Sequence, residues 1–531
     1  MRKFFLIFCA MAPYWSFAQF NYPSYDALLN RINQLKGKKN VAVESVGKSF
    51  GGENIPVIKI EQDKKAKPTL LVVAGIDGKH PAGVVGSLEV VDRLTSLAPD
   101  SLNRLLSGRS VWIIPLVNPD AYKRNSKTGH WLSGNARVVD NDRDGRVDED
   151  PTKDLNGDGV IAQMRVKRAG GTYRVHPTFK DILVQADRSK GEKGEYLLLT
   201  EGIDADFDGK YGEDGEGGVN IDRNFTFDYP AFVSESGEYA ASEPETRALV
   251  DFIFANPQIW GIVHFGLTNN LSEPEKYNPA KARERIISSW SESDAEVSKY
   301  VSTLYKEAVK GLGEAPRMEH KPGNFVNTAY YHLGKFSFAT PLWWPVAQDS
   351  SKKVKPEDVF YHWVSKNNVA GAILPWTKVQ HPNFPNQEVE VGGVVEIFKN
   401  NPPVQFLSEP AKLHANFVSK LIDAMPQLVY EQPVVTPLGG DVYRVELTVT
   451  NVGKTASYPE IADKIKFIPK FKTVCELQKN QQFLNGKRLQ LYSSLGAGQS
   501  LSFSWLIKGK GTVSITAGCP SAGEIKMDVK L

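Results

Sequence analysis

The chain has 531 residues, of which 41% are hydrophobic and 24% are charged. A chain of this length exceeds what one compact core accommodates, so we expect two or more domains. The formal net charge is only +3, which excludes a global electrostatic preference for nucleic acid or for an acidic membrane surface.

The first 18 residues have the features of a secretory signal peptide. Arg2 and Lys3 precede an apolar run, and residues 16–18 offer a small-x-small cleavage site. Cleavage would remove these two cations and no acids, so the formal net charge would fall from +3 to +1. We therefore expect a secreted or periplasmic protein. No later run of about 18 apolar residues follows, so no membrane span is predicted.

Residues 19–428 alternate apolar strands with amphipathic helices. Such alternation predicts a largely parallel sheet covered on both faces, with ligands beyond the carboxyl ends of its strands. In chain order, the predicted elements are strand 69–74, helix 82–94, strand 111–117, helix 243–255, strand 259–264, helix 294–311 and strand 336–340.

Residues 431–531 change to short segments with period-two alternation, which predicts an antiparallel, immunoglobulin-like β-sandwich. Its two cysteines, Cys475 and Cys519, could pair in an oxidising compartment or remain buried free thiols. The predicted strands are 442–450, 501–507, 512–517 and 524–531.

An acidic insertion, residues 135–218, contains three loops of the form D-x-[DN]-x-D-G. Such loops supply the oxygen ligands that calcium prefers. The first two lack the glutamate of an EF-hand at the twelfth position. The alternatives are a site for calcium or another hard cation and a merely solvated acidic surface. Three clustered copies favour calcium, because so many carboxylates would otherwise repel one another. The candidate ligands are Asp140, Asp142, Asp144, Asp148, Asp154, Asn156, Asp158, Asp204, Asp206 and Asp208.

Six motifs occur in the order and at the spacing of one known family, and the chain resembles the zinc carboxypeptidases (carboxypeptidase A/B-like) over residues 20–345. The resemblance implies an α/β domain with a mixed sheet flanked by helices, and a zinc-dependent hydrolase that acts in proteolysis. The motifs are residues 69–80, 118–120, 218–225, 242–246, the strand ending in His264, and 335–338.

The metal-binding motif differs from that of the family. Where the family has His-x-x-Glu, this chain has Asp77 and His80, and the third ligand matches His264. One carboxylate and two imidazoles are a donor set that zinc accepts, although Asp77 and His80 could also be ordinary polar residues of a loop. The family's aspartate that orients the first histidine is Asn220 here. An amide N–H suits a carboxylate partner, so we expect Asn220 to contact Asp77.

The substrate-binding motif is altered as well. Arg223 matches the arginine that grips a substrate carboxylate in the family. The neighbouring family asparagine is Asp222 here, which could receive an ammonium or hydroxyl group, or could form a salt bridge that only braces the loop. Arg137 is the candidate for the oxyanion-stabilising arginine.

Pro341 stands where the family has the glutamate that deprotonates the zinc-bound water. Proline has no acid–base group, and loss of a general base costs about 10²–10⁴-fold in rate. Glu319, His320 and Glu273 are conceivable substitutes, but none has a spacing that recommends it.

Two hypotheses follow. The favoured one is a catalytically impaired family member, a pseudoenzyme, which binds a peptide-like or cell-wall-derived ligand. The alternative is an active metallocarboxypeptidase or amidase with a rearranged Asp/His/His zinc site and a different base. The sequence predicts no nucleic-acid partner and leaves the oligomeric state open.

Overall fold

A computed structural model describes residues 21–128, 130–140, 145–147, 150–212, 218–318, 320–346, 354–465 and 467–531. The predicted signal peptide and three of the acidic candidates, Asp142, Asp144 and Asp148, lie outside these ranges. Among the described residues, we find no helix with the length and apolar character that a membrane crossing requires.

The described residues form α-helices and strands throughout the chain. The helices are α1 (Tyr25–Gln34), α2 (Pro81–Thr95), α3 (Pro99–Leu105), α4 (Pro119–Thr128), α5 (Pro244–Ala255), α6 (Glu292–Ala308), α7 (Phe325–Tyr331), α8 (Val359–Asn367) and α9 (Ser408–Ala424). The strands are β1 (Val41–Lys48), β2 (Asn54–Ile60), β3 (Thr69–Ala74), β4 (Ser110–Ile114), β5 (Gln163–Gly171), β6 (Tyr173–Val175), β7 (Leu183–Gln185), β8 (Gly194–Thr200), β9 (Ile259–Phe265), β10 (Phe336–Thr340), β11 (Ile373–Val379), β12 (Val389–Val394), β13 (Leu428–Tyr430), β14 (Val434–Gly439), β15 (Val442–Asn451), β16 (Phe471–Glu476), β17 (Gln482–Asn485), β18 (Leu489–Tyr492), β19 (Ser500–Lys508), β20 (Thr512–Cys519) and β21 (Gly523–Lys530).

The central sheet has the strand order β1-β2-β4-β3-β9-β10. The strands β4, β3, β9 and β10 run parallel, whereas β1 and β2 pair in antiparallel fashion at one edge. Alternate residues of β3 enter different cores: Leu70 and Val72 pack on one face, and Leu71 and Val73 on the other. Both faces are therefore buried, as expected for parallel strands, and the predicted α/β fold with a mixed sheet is confirmed.

A second, antiparallel sheet has the order β11-β12-β5-β8-β6-β7. Four of its strands come from the insertion, for which the sequence predicted only acidic loops. In β5 the core-facing Met164 and Val166 alternate with cationic residues, which is the period-two pattern of a half-buried strand. One of these, Arg165, pairs with Glu390 at 2.7 Å and lies over the rings of Tyr196 and Trp376.

The C-terminal region is all-β, with antiparallel sheets of order β13-β15-β19-β17, to which β14 adds, and β18-β16-β20-β21. It has a core of its own that includes Trp505 and Ile515. Cys475 and Cys519 are buried in this core as free thiols, so the alternative of unpaired cysteines holds.

The all-β region packs on the α/β domain through a buried carboxylate. Asp294, on α6, accepts hydrogen bonds from the hydroxyl of Tyr330 at 2.8 Å and from the backbone amides of Glu460 and Ile461 at 2.8 and 3.3 Å. The indole of Trp260 adds a bond to the carbonyl of Ala456. These contacts join the two regions on the side of β9 and β10.

Candidate metal and ligand site

The candidate site lies where β3 and β9 end. After β3 the chain turns sharply at Gly75, whose φ is 63°, and a side chain there would come within 2.8 Å of Leu116. This turn carries Asp77 and leads to His80, the residue that precedes α2. His264 is the penultimate residue of β9, which pairs with β3 in parallel.

The two histidines are buried and neutral. His80 is 2% exposed and His264 1% exposed. Burial lowers the pKa of His80 to about 4, and burial together with the nearby His80 lowers the pKa of His264 to about 3. Both nitrogens of His80 and Nδ1 of His264 have no hydrogen-bond partner among the described residues; Asn401 lies beside His80 without a bond of standard geometry. Neutral, unpartnered imidazole nitrogens have the chemistry of metal ligands.

Asp77 is held by amides. Its Oδ1 accepts the backbone N–H of Lys79 at 2.7 Å, and its Oδ2 lies 3.4 Å from Nδ2 of Asn220. The contact expected between Asn220 and Asp77 is therefore present. Asn220 also accepts the backbone N–H of Asp222, which fixes the start of the short 3-10 turn Ile221–Arg223.

The three candidate zinc ligands do not converge closely. A tetrahedral zinc ion needs donor atoms roughly 3.5 Å apart. Asp77, His80 and His264 do not offer donor atoms that all lie within 4.8 Å of one another; within the described ranges, only Asp150, Asp204 and Asp206 do so. The donor types therefore fit zinc, but their spacing does not fit a three-ligand zinc site.

Asp222 and Arg223 have separate partners. Asp222 accepts the backbone N–H of Phe325 at 2.9 Å, and its pKa is raised to about 7, mainly by burial and further by the charge of Asp77. Nη1 of Arg223 lies 3.5 Å from Glu235. Nε of Arg223 is buried without a partner in the described part of the chain, so the guanidinium keeps a donor available.

Arg137 is engaged in a buried ion pair. Its Nε lies 2.9 Å from both carboxylate oxygens of Glu243, which is fully buried. Nδ2 of Asn135 donates to Glu243 at 2.8 Å and also to Glu245. Burial raises the pKa of Glu245 to about 7. In this cluster, the cleft wall, Nε of Arg137 is engaged with Glu243, whereas its side chain is 25% exposed. A role of Arg137 in stabilising an oxyanion stays a prediction.

Pro341 directly follows β10, in which Ala339 is in register with His264. It is buried and its carbonyl accepts the hydroxyl of Thr340. Among the suggested substitutes for the base, Glu319 lies outside the described residues. Glu273 faces Arg317 at 3.5 Å on the surface.

His320 is oriented by a carboxylate that sequence reasoning missed. Its Nε2 lies 2.9 Å from Glu275, and its Nδ1 is buried without a partner among the described residues. The imidazole is close enough to Asp222 to act on the pKa of that carboxyl. No motif marks Glu275, because the pair is formed only by folding.

The acidic loops differ in how they use their oxygens. In the second loop, Asp154 accepts the amides of Gly157 and Gly159, and Asp158 accepts that of Val160. In the first loop, Asp140 accepts the amide of Gly145. These side chains close their own turns.

Part of the third loop converges with another segment. One oxygen each of Asp204 and Asp206 lies within 4.8 Å of Asp150, a residue that the sequence did not single out. Asp208, the third acid of this loop, pairs with Lys210 instead.

Comparisons with known proteins agree with this architecture. A family model described as zinc carboxypeptidase matches residues 26–370, and one described as a domain of unknown function matches residues 427–530. A curated zinc carboxypeptidase from Saccharothrix mutabilis subsp. capreolus is 26% identical over 98 residues. That match covers 18% of this chain and spans only 23% of the curated relative's length.

Solved carboxypeptidase structures are also similar. Carboxypeptidase A from Helicoverpa armigera is 14% identical, with a TM-score of 0.38, and the match covers 64% of this chain and 69% of that one. Bovine thrombin-activatable fibrinolysis inhibitor, in complex with tick carboxypeptidase inhibitor, is 15% identical, with a TM-score of 0.40 and coverage of 76% and 99%. Both TM-scores are below 0.5.

Proposed function

The chain belongs to the zinc carboxypeptidase family, and we propose that it is a catalytically impaired member that binds a peptide-like or cell-wall-derived ligand in the inherited cleft. Pro341 carries this proposal. It follows β10 beside the strand of His264, at the position from which the family's general base acts. A proline cannot take a proton from water, and loss of a positioned base alone lowers the rate about 10²–10⁴-fold.

The spacing of the candidate ligands supports the same proposal. Asp77, His80 and His264 are farther apart than zinc requires, and both oxygens of Asp77 already accept amide hydrogens. If zinc were bound, it would supply Lewis-acid activation of water. With neither converging ligands nor a base, we expect no hydrolysis of a peptide bond.

Ligand binding is supported by Arg223. Its buried Nε has no partner among the described residues, and its ion pair with Glu235 is long at 3.5 Å. A guanidinium with free donors is suited to a ligand carboxylate. Asp222, beside it, adds a place for an ammonium or hydroxyl group. A peptide-like molecule carries both kinds of group.

Export is the second part of the proposal. We infer it from the apolar, cation-preceded segment 1–18. N-terminal sequencing of the protein recovered from the periplasm or medium should find Gln19 as the first residue. Recovery of an uncleaved, cytoplasmic chain would reject this part and leave the binding proposal intact.

Metal content and turnover on a mixed peptide panel test the impairment. We expect substoichiometric zinc and no turnover, and Pro341→Glu should not restore activity because the ligands remain apart. Pro341→Gln is the control of similar shape without an acid. Chelator-sensitive hydrolysis by the wild-type chain would reject the impairment. Hydrolysis by Pro341→Glu alone would instead show that the missing base causes the impairment and that Asp77, His80 and His264 are competent metal ligands.

Binding is tested with the same panel by calorimetry. Arg223→Met should weaken saturable binding of peptides with a free carboxyl terminus by about tenfold or more, in line with the loss of a charge-assisted pair. Arg317→Met, at a side chain that is 71% exposed, should bind as the wild type does. Equal affinities for the two variants would remove Arg223 from the site.

The alternative of an active hydrolase is favoured by one observation, the His320–Glu275 pair. An imidazole oriented by a carboxylate is the usual arrangement of a general base. If turnover is found, His320→Gln should abolish it while leaving peptide binding unchanged. Turnover that survives His320→Gln would exclude this base.

A further inference from the structure

Three carboxylates from two distant segments meet in the insertion. Asp150 lies just before Thr152, which bridges to Gly202, and this contact brings Asp150 beside the loop that carries Asp204 and Asp206. One oxygen of each of the three carboxylates lies within 4.8 Å of the others.

Each carboxylate uses one oxygen for a backbone amide. Oδ1 of Asp150 accepts the N–H of Ala205 at 2.6 Å, Oδ2 of Asp204 that of Gly209 at 3.2 Å, and Oδ1 of Asp206 that of Asp208 at 2.9 Å. These bonds fix the side chains and leave the other oxygens for a ligand.

Two of those remaining oxygens are buried without a partner. Asp150 is 1% exposed and Asp204 5% exposed, and neither Oδ2 of Asp150 nor Oδ1 of Asp204 has a hydrogen-bond donor among the described residues. Buried charges are normally paired, hydrogen-bonded or bound to a metal. Two unpartnered buried carboxylate oxygens in one converging cluster therefore point to a cation as their partner.

The sequence around the cluster is acidic, and the nearby Lys210 pairs with Asp208. Asp204, Asp206 and Gly209 occupy the first, third and sixth positions of a calcium loop, but Gly215 stands at the twelfth, where an EF-hand has its glutamate. The adjoining segments 148–149 and 213–217 consist of Asp, Glu and Gly alone. Asp150, which comes from another part of the chain, thus supplies an acidic group where this loop lacks the glutamate of an EF-hand.

We propose that Asp150, Asp204 and Asp206 form a calcium site that holds the insertion closed. Calcium takes six to eight oxygen ligands in flexible geometry, whereas magnesium is usually bound through one or two carboxylates and keeps several waters. Three carboxylates on two loops match calcium better.

The site is tied to the rest of the α/β domain. Nδ2 of Asn383 donates to the carbonyl of Asp204 at 2.6 Å, and Nε2 of His381 lies 2.8 Å from the carbonyl of Gly202. Both residues follow β11. A cation bound here would therefore stabilise the second sheet as well as the acidic loop.

Calcium titration of the EDTA-treated full chain tests this site. Calorimetry should detect a calcium-binding event that Asp150→Asn and Asp204→Asn weaken at least about tenfold, because the number of charged ligands sets the affinity. Asp158→Asn, in the second loop, is the matched control and should retain the event. Absence of calcium binding, equal loss in Asp158→Asn, or equal binding of magnesium would overturn the assignment.

Melting temperature separates a cation site from a purely structural role. Without calcium, Asp150→Asn should melt at or above the wild-type temperature, since the substitution removes like-charge repulsion. With saturating calcium the order should reverse, because only the wild type gains the binding energy. A variant that melts lower than the wild type by the same amount under both conditions would reject the proposal.

Discussion

The cleft around His80 and His264 and the carboxylate cluster around Asp204 are both built from metal-ligand residue types, but they differ in charge and in partners. In the cleft, the imidazoles are neutral and both oxygens of Asp77 accept amides. In the cluster, three carboxylates converge and two buried oxygens have no partner among the described residues.

This difference lies in how far the charge of each group of residues is compensated. No uncompensated charge is buried at the histidines of the cleft, because burial keeps both imidazoles neutral. The cluster concentrates negative charge, which a protein normally balances with a cation. The convergence of the donor atoms and the uncompensated charge of the side chains therefore indicate a cation site better than the residue types alone.

The largest expected effect tests whether the cleft wall is held by its own charges. Arg137→Met should lower the free energy of unfolding by about 3–4 kcal/mol, because it leaves the buried Glu243 without its cation. Urea denaturation measures the change. The double variant Arg137→Met/Glu243→Gln should recover much of the stability. Loss of ligand binding without loss of stability would instead make Arg137 a ligand-binding residue.

The next effect is a pH dependence of stability from the same wall. Burial raises the pKa of Glu245 from 4.5 in the unfolded chain to about 7. The folded state therefore binds more protons at Glu245 between these values. The contribution of this group to stability is fully present below pH 4.5 and is lost as the pH rises through 7. The contribution is about 3 kcal/mol.

Denaturation curves between pH 4.5 and 7.5 measure this contribution. Glu245→Gln should flatten the pH dependence, because the amide stays neutral throughout. Glu201 in the insertion and Asp222, whose pKa values are also raised to about 7 mainly by burial, should leave a residual slope of the same sign. An unchanged slope in Glu245→Gln would contradict the assignment.

Much of the fold was predictable because its strands are apolar runs with clear ends. The bounds of β3 and β10 agree with the prediction to the residue. The strands of the insertion were not predictable in this way. Arg165 on β5 is neutralised by Glu390 on β12 and covered by aromatic rings, and such cross-strand pairs are invisible before folding.

The sequence predicted which residues lie near the candidate site, but not the distances between their donor atoms. The coupled exchange at positions 77 and 220 indicated the contact that the structure contains. Whether Asp77 converges with His80 and His264 depends on side-chain length and rotamer, which no motif encodes. Asp150 was missed for a different reason: it lies far from Asp204 in the chain and meets it only through the Thr152–Gly202 bridge.

A smaller effect tests the cleft at its buried imidazole. His80→Leu should raise the free energy of unfolding by about 1–2 kcal/mol, since it removes a buried ring whose nitrogens have no partner among the described residues. Urea denaturation with and without zinc measures it. If zinc stabilises the wild type and His80→Leu abolishes that effect, the cleft holds a metal and its contrast with the carboxylate cluster disappears.

The smallest effect concerns the amide that holds Asp77. Asn220→Asp keeps an oxygen for the N–H of Asp222 but places a second negative charge against Asp77. We expect a loss of about 1 kcal/mol at low ionic strength, because like charges at this distance repel.

Salt separates this repulsion from loss of the hydrogen bond. Asn220 is only 5% exposed, so salt screens the repulsion incompletely, and we expect part of the loss to disappear in 1 M salt. Asn220→Ser, which lacks both the charge and the amide donor, should show a loss that salt does not change. If instead Asn220→Asp binds zinc more tightly than the wild type, Asp77, His80 and His264 are metal ligands whose affinity rises with the added negative charge. The cleft would then be a metal site, like the one proposed for the carboxylate cluster.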